Sequence, residues 1–212
     1  FTDMNSDLWN ILFPSSDINI LIFMMLVFFL SGIVKGFLGI GLPAAAMAFL
    51  TLVIPPAHAI SLLVIPILFT NFTQFSRSKY RLEAIRTYWL FAIAIIFSIF
   101  FTSLFLSKYP TGLLTISIGI AMVIVSLNGL VGLKIKISEK RSWQLGFGVL
   151  SGVLGGLSSI WSPTVAIYLI ARRVDKDHFI SATGFLFLAG AVPLIFGLIF
   201  GGILTKESAL QS

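Results

Sequence analysis

The sequence predicts an all-α, polytopic membrane protein built from two inverted-topology repeats with broken or re-entrant helices. Three observations carry that prediction. The 212-residue chain is 58% hydrophobic and only 10% charged, more apolar surface than a soluble domain of this size hides. Its basic residues cluster in short loops between apolar runs. Residues 31–50, SGIVKGFLGIGLPAAAMAFL, are echoed by residues 151–170, SGVLGGLSSIWSPTVAIYLI, at a constant offset of 120.

Charge-free runs cover 18–34, 36–76, 87–107, 109–133, 142–171 and 179–205, and a bilayer-spanning helix takes about 20 apolar residues. The short alternating strands of a transmembrane barrel are not apparent. Residues 1–17 hold Asp3, Asp7 and Asp17 and read as an extracytoplasmic segment. The chain opens on Phe1, so its N-terminus is expected to be incomplete, with Met4 a possible start. The first apolar run belongs to the repeated design, which argues against a cleaved signal peptide. Passes then follow at 18–38, 41–54, 57–76, 86–107, 110–133, 143–158, 161–171 and 178–204. Segments 41–54 and 161–171 are too short to cross comfortably and read as half-helices that turn back.

Three loops hold most of the positive charge: Arg77, Lys79, Arg81 and Arg86; Lys134, Lys136, Lys140 and Arg141; Arg172, Arg173 and Lys176. The excess of Lys and Arg in short cytoplasmic loops places all three inside and the N-terminus outside. The net charge of +6 therefore serves orientation in a lipid bilayer, and no nucleic-acid partner is expected. The absence of cysteine removes disulfides, thiolate metal sites and thiol nucleophiles.

The offset needs no gap. Ser31, Gly32, Gly36, Ile40, Pro43, Ala46, His58, Ile60 and Ser61 match Ser151, Gly152, Gly156, Ile160, Pro163, Ala166, His178, Ile180 and Ser181. Five segments separate equivalent points, an odd number, so the copies insert with opposite orientation, as in many secondary transporters. The uncharged connection LVIPPA at 52–57 faces the charged RRVDKD at 172–177, as inversion requires. The first repeat is expected over 18–137. The second, over 138–212, stops before counterparts of the fourth and fifth passes and is expected to be incomplete at its C-terminus.

In GFLGIGLP (36–43) and GLSSIWSP (156–163) glycine weakens a helix interior, and proline suits the first turn of a new helix. Each tract reads as helix, break, helix. A break at membrane depth frees backbone N–H and C=O groups, which is tolerated where protein, water or a ligand satisfies them. Helices restarting near Leu42 and Ser162 would aim N–H groups and a positive dipole end at an anion. The substrate-site candidates are Gly39, Gly41 and Pro43 in one break, and Ser159, Trp161, Ser162 and Pro163 in the other. Asn71 and Gln74, spaced i,i+3, put a polar face on an apolar helix. The competing reading is structural: small residues such as Gly32 and Gly36 also suit ordinary helix packing. Lys35, the only charge between Asp17 and Arg77, either attracts an anion or snorkels to an interface. His58 and His178 are candidate proton carriers or polar helix starts.

These tracts carry a resemblance. Residues 34–74 and 152–188 resemble the TauE/SafE family of sulfite exporter-like permeases, and the likeness covers both repeat starts. The resemblance implies a bacterial-type inner-membrane carrier of small anions, sulfite or organosulfur anions such as sulfonates. Many members have a longer glycine run in the first break, where this chain has Gly39, Gly41 and then Leu42.

The expectation is a secondary anion transporter coupled to a proton gradient, with no cofactor, no metal, no catalytic residue and a possible homo-oligomeric state. No phosphate-binding GxxxxGK[ST] run is present to bind ATP. An anion channel is one alternative. Another is an intramembrane serine hydrolase using Ser158 or Ser159 with His178, although the GxSxG elbow is missing.

Overall fold

The computed structural model describes residues 18–131 and 140–204. The acidic N-terminal segment, the basic residues Lys134 and Lys136, and the chain beyond Leu204 lie outside the described residues. Within them the chain forms eight α-helices: α1 (Ile18–Leu38), α2 (Leu42–Leu50), α3 (Pro56–Arg77), α4 (Arg81–Leu104), α5 (Thr111–Val131), α6 (Arg141–Ser158), α7 (Ser162–Ala171) and α8 (Lys176–Phe200). A single 3₁₀ turn, Leu106–Lys108, joins α4 to α5. No strand occurs among the described residues. Helices α1, α3, α4 and α8 are each long and apolar enough to cross a membrane, and the protein is a multi-pass membrane protein.

Helix boundaries recur at the offset read from the sequence. Helices α1 and α6 end at Leu38 and Ser158, α2 and α7 begin at Leu42 and Ser162, and α3 and α8 begin at Pro56 and Lys176. The local causes recur too. Gly39 and Ser159, 120 positions apart, are both left-handed, with φ of 71° and 58°. Pro43 and Pro163 each sit in the first turn of the restarting helix, where the missing N–H breaks no helical bond. Pro55 and Pro56 open α3, whereas Asp175 caps α8 by accepting from the N–H groups of Asp177 and His178.

The basic loops flank one end of the bundle. The Tyr80 N–H donates to Ser181 Oγ at 3.2 Å, and the Tyr80 ring stacks on His178 with centroids 3.9 Å apart. Gln144 Nε2, in the first turn of α6, donates to the Thr87 carbonyl at 3.1 Å. Thus the end of α3 and the starts of α4, α6 and α8 lie together, bringing Arg77, Arg81, Arg141 and Lys176 to one face. Helix α4 reaches this face with non-helical dihedrals at Tyr88 (φ −112°, ψ 17°). That kink lies just inside the point at which the sequence places the start of the pass.

Helix α4 packs most extensively against α6 and α8, and the α6 contact has a simple cause. Gly148, Gly152 and Gly156 form one stripe on α6, facing Ala94, Ser98 and Thr102, a matching stripe on α4. A Cβ added at Gly148 or Gly156 would stand 2.6 Å from that of Ala94 or Thr102, and one at Gly152 would overlap Ser98. Small residues four apart let two backbones approach closely. Gly32 and Gly36, the counterparts of Gly152 and Gly156 at the same offset, have nothing within 4 Å of an added Cβ. The small-residue spacing that the sequence offers twice is used for close packing once.

Candidate functional site

Both breaks open onto one small cavity. Its walls are Lys35 from α1, Leu42 and Pro43 from α2, Ile67, Thr70 and Asn71 from α3, Trp161 and Ser162 at the start of α7, and Phe187 from α8. At 1.5 Å of rise per residue, Asn71 stands about 9 Å along α3 from Arg77, and Phe187 about 16 Å along α8 from Lys176.

Lys35 is the only charged residue in this lining. It is 8% exposed, its ammonium donates to the Asn71 side-chain oxygen, and it stands 5.1 Å from the centroid of the Phe187 ring. The side chain therefore points inward and does not snorkel. One amide oxygen and an aromatic face replace only part of the hydration of an ammonium. No carboxylate lines this cavity or the groove beside it, so a buried positive charge stands without a counter-ion among the described residues.

Trp161 is held in a slot made by two glycines. A Cβ at Gly155 of α6 would lie 2.9 Å from the indole, and one at Gly190 of α8 3.0 Å from it. The indole is 2% exposed, and its N–H has no hydrogen-bond partner. The Ser159 hydroxyl is likewise buried and unpartnered. Such orphaned groups are rare in folded proteins and cost about 1–3 kcal/mol each. The break itself is pinned: Ser151 of α6 and Thr164 of α7 bond through their hydroxyls at 2.6 Å, and Ser158 Oγ accepts from the Ile160 N–H at 3.1 Å.

A second, wider groove adjoins the cavity and shares Lys35 and Thr70 with it. Its volume is about 600 Å³, and Arg77 and Lys176 stand at its outer end on the basic face.

The residues singled out in the sequence divide as follows. Pro43, Asn71, Trp161, Ser162 and Lys35 line the cavity together. Gly39 and Gln74 lie in the groove. The Gln74 amide there donates to the Ile180 carbonyl at 3.1 Å and to Thr183 Oγ1 at 2.9 Å, tying α3 to α8. Gly41, Ser159 and Pro163 belong to the breaks without lining the cavity. His58 is exposed near the start of α3. His178 stands apart, its Nε2 3.2 Å from Glu83 and its Nδ1 against Asp175. Phe187 and Ile67 were not legible as site residues, because an apolar residue within an apolar helix gives no signal of which way it faces. Thr70, one position before Asn71, was the one polar wall residue that the i,i+3 pattern passed over.

A helical, multi-pass membrane protein with a small cavity formed where two helices break has the build of a membrane transporter. The model of the family described as "Sulfite exporter TauE/SafE" matches residues 24–211. This chain belongs to the TauE/SafE family. No curated protein and no solved structure matches the chain.

Proposed function

We propose that this protein is a secondary carrier of small anions, sulfite or an organosulfur anion such as a sulfonate, binding in the cavity between the two breaks. The observation that carries the reading is the Lys35 ammonium, buried among helix starts and neutral donors with no carboxylate lining the cavity. At an effective dielectric constant of about 20, an anion 4 Å from that charge gains about 4 kcal/mol. The Trp161 indole N–H, the Ser162 hydroxyl and the first amides of α2 and α7 supply donors around it. The matching registers of the two halves support an inverted-repeat arrangement in which one half rocks against the other. The cavity has a volume of about 10 Å³, room for about one water. An anion therefore enters only when the halves separate, which favours a carrier over an open channel. The basic face is cytoplasmic in this reading, the membrane is a bacterial-type inner membrane, and a proton gradient drives transport.

Reconstitution into liposomes tests this directly. Labelled sulfite, methanesulfonate and acetate are offered with and without a pH gradient, to the protein and to its Lys35→Gln variant. Saturable uptake of the sulfur anions, accelerated by the gradient and lost in the variant, is expected. Uptake no faster than in empty liposomes for every anion overturns the reading.

A further inference from the structure

Resting on the anion-carrier reading, we infer that the cavity is built for an anion carrying a single negative charge, so that a dibasic oxyanion crosses as its protonated monoanion. The evidence is the charge content of the site. Lys35 contributes one positive charge, and the rest of the lining is neutral: Thr70, Asn71, Trp161 and Ser162 are polar, and Leu42, Pro43, Ile67 and Phe187 are apolar.

Two effects compete when an anion enters such a place. Its attraction to the single ammonium grows linearly with its charge, so a dianion gains about twice what a monoanion gains. The cost of stripping its water grows with the square of the charge, about fourfold for the dianion. A monoanion leaves the site electrically neutral. A dianion leaves one uncompensated negative charge facing the π-cloud of Phe187 and the aliphatic walls of Leu42, Pro43 and Ile67. The donors that remain are neutral and carry no second charge to offset it. Thr70 already donates to the Pro66 carbonyl, which leaves the Trp161 indole, the Ser162 hydroxyl and the Asn71 amide N–H groups.

The same content fixes where a proton travels. No Asp, Glu or His lines the cavity or the adjoining groove; the other charged groups along the path are Arg77 and Lys176, both cations at the outer end. His178, with Glu83 and Asp175, lies in a separate pocket shared with Tyr80, Tyr88 and Arg173. Among the described residues no carboxylate or imidazole is placed to take a proton alongside the substrate. Lys35 has to stay protonated to neutralise the monoanion, so the substrate oxygen carries the proton. Release into a more alkaline compartment then yields dianion and proton, with no bond to the protein formed or broken.

Two tetrahedral probes of nearly the same shape decide the matter. Methanesulfonate is a monoanion and sulfate a dianion throughout the neutral range, whereas sulfite changes from one to two charges within it. Uptake by the full chain in liposomes is measured for all three from slightly acid to slightly alkaline pH, with binding to the detergent-purified chain measured by calorimetry. Methanesulfonate is expected to exceed sulfate by about tenfold or more at every pH. Sulfite, normalised to methanesulfonate at each pH, is expected to fall by about tenfold per pH unit once it passes its second ionisation. Sulfate uptake equal to that of methanesulfonate, or sulfite uptake that follows the dianion, overturns the inference while leaving the carrier reading standing. Binding of methanesulfonate over sulfate without transport of either retains the inference and overturns the carrier reading. Neither binding nor transport of any probe overturns both.

Discussion

The Lys35 ammonium donates to the side-chain oxygen of Asn71, 36 positions further along the chain and buried with it between α1 and α3. Neither group has another charged neighbour in the cavity. A cation held this way is a cost to the empty protein and an attraction to an anion, so its removal separates stability from function.

Lys35→Met is therefore expected to raise the thermal midpoint of the detergent-purified, anion-free protein while reducing anion transport. A charge-assisted hydrogen bond is worth about 1.5–3 kcal/mol, which corresponds to a loss of about 10- to 150-fold in transport efficiency. A thermal melt and a liposome assay on the same preparation check both halves.

The two glycine stripes give opposite outcomes. Gly156→Ala forces Cβ against Cβ across the α4–α6 seam, and overpacking of this kind costs about 1–3 kcal/mol. Gly36→Ala meets nothing within 4 Å and gains about 1 kcal/mol of helix propensity. The melting temperatures of the two variants should move in opposite directions.

Ser159 holds a left-handed conformation with φ 58° and carries a buried hydroxyl with no partner. Its counterpart in the first half is Gly39, also left-handed. Ser159→Gly removes the Cβ that makes this conformation unfavourable, worth about 1–2 kcal/mol, and removes the orphaned oxygen as well. A higher unfolding midpoint is expected, whereas Ser159→Val should lower it.

Gly190→Val drives a side chain into the Trp161 indole, which would lie 3.0 Å from the first added carbon. Displacing Trp161 should weaken anion binding more than Gly184→Ala does. That control contacts the α3 backbone near Phe75, away from the cavity. Calorimetric titration with methanesulfonate compares the two.

Asp175 is held below the usual carboxylate range, chiefly by accepting from the His178 backbone N–H at the head of α8. A carboxyl whose folded pKa is depressed stabilises the protein above its unfolded value near 3.8, and that stabilisation fades as pH falls through the folded value. Asp175 also holds the His178 imidazole protonated to higher pH. The difference in melting temperature between the natural chain and Asp175→Asn should therefore grow as pH falls through the range where His178 takes up its proton, and shrink below about pH 4.

Much of the architecture was readable in one dimension. Membrane spans announce themselves because hydrocarbon excludes charge over a fixed length, and the breaks do so because Gly39 with Pro43, and Pro163 after the second tract, impose backbone geometry by covalent structure alone. The offset of 120 related the second break to the first, and the structure adds that positions 39 and 159 are both left-handed. What the chain could not disclose was facing. Asn71 and Gln74 share a polar stripe, yet only Asn71 reaches the cavity, while Gln74 bonds to α8. Gly32 and Gly152 look alike in sequence, yet only Gly152 is pressed against a neighbour. The direction of Lys35, inward to Asn71 and Phe187, and the slot that Gly155 and Gly190 make for Trp161 follow from how eight helices stack. Backbone conformation is local and written residue by residue; burial, partnership and the sharing of one cavity by two distant breaks exist only after packing.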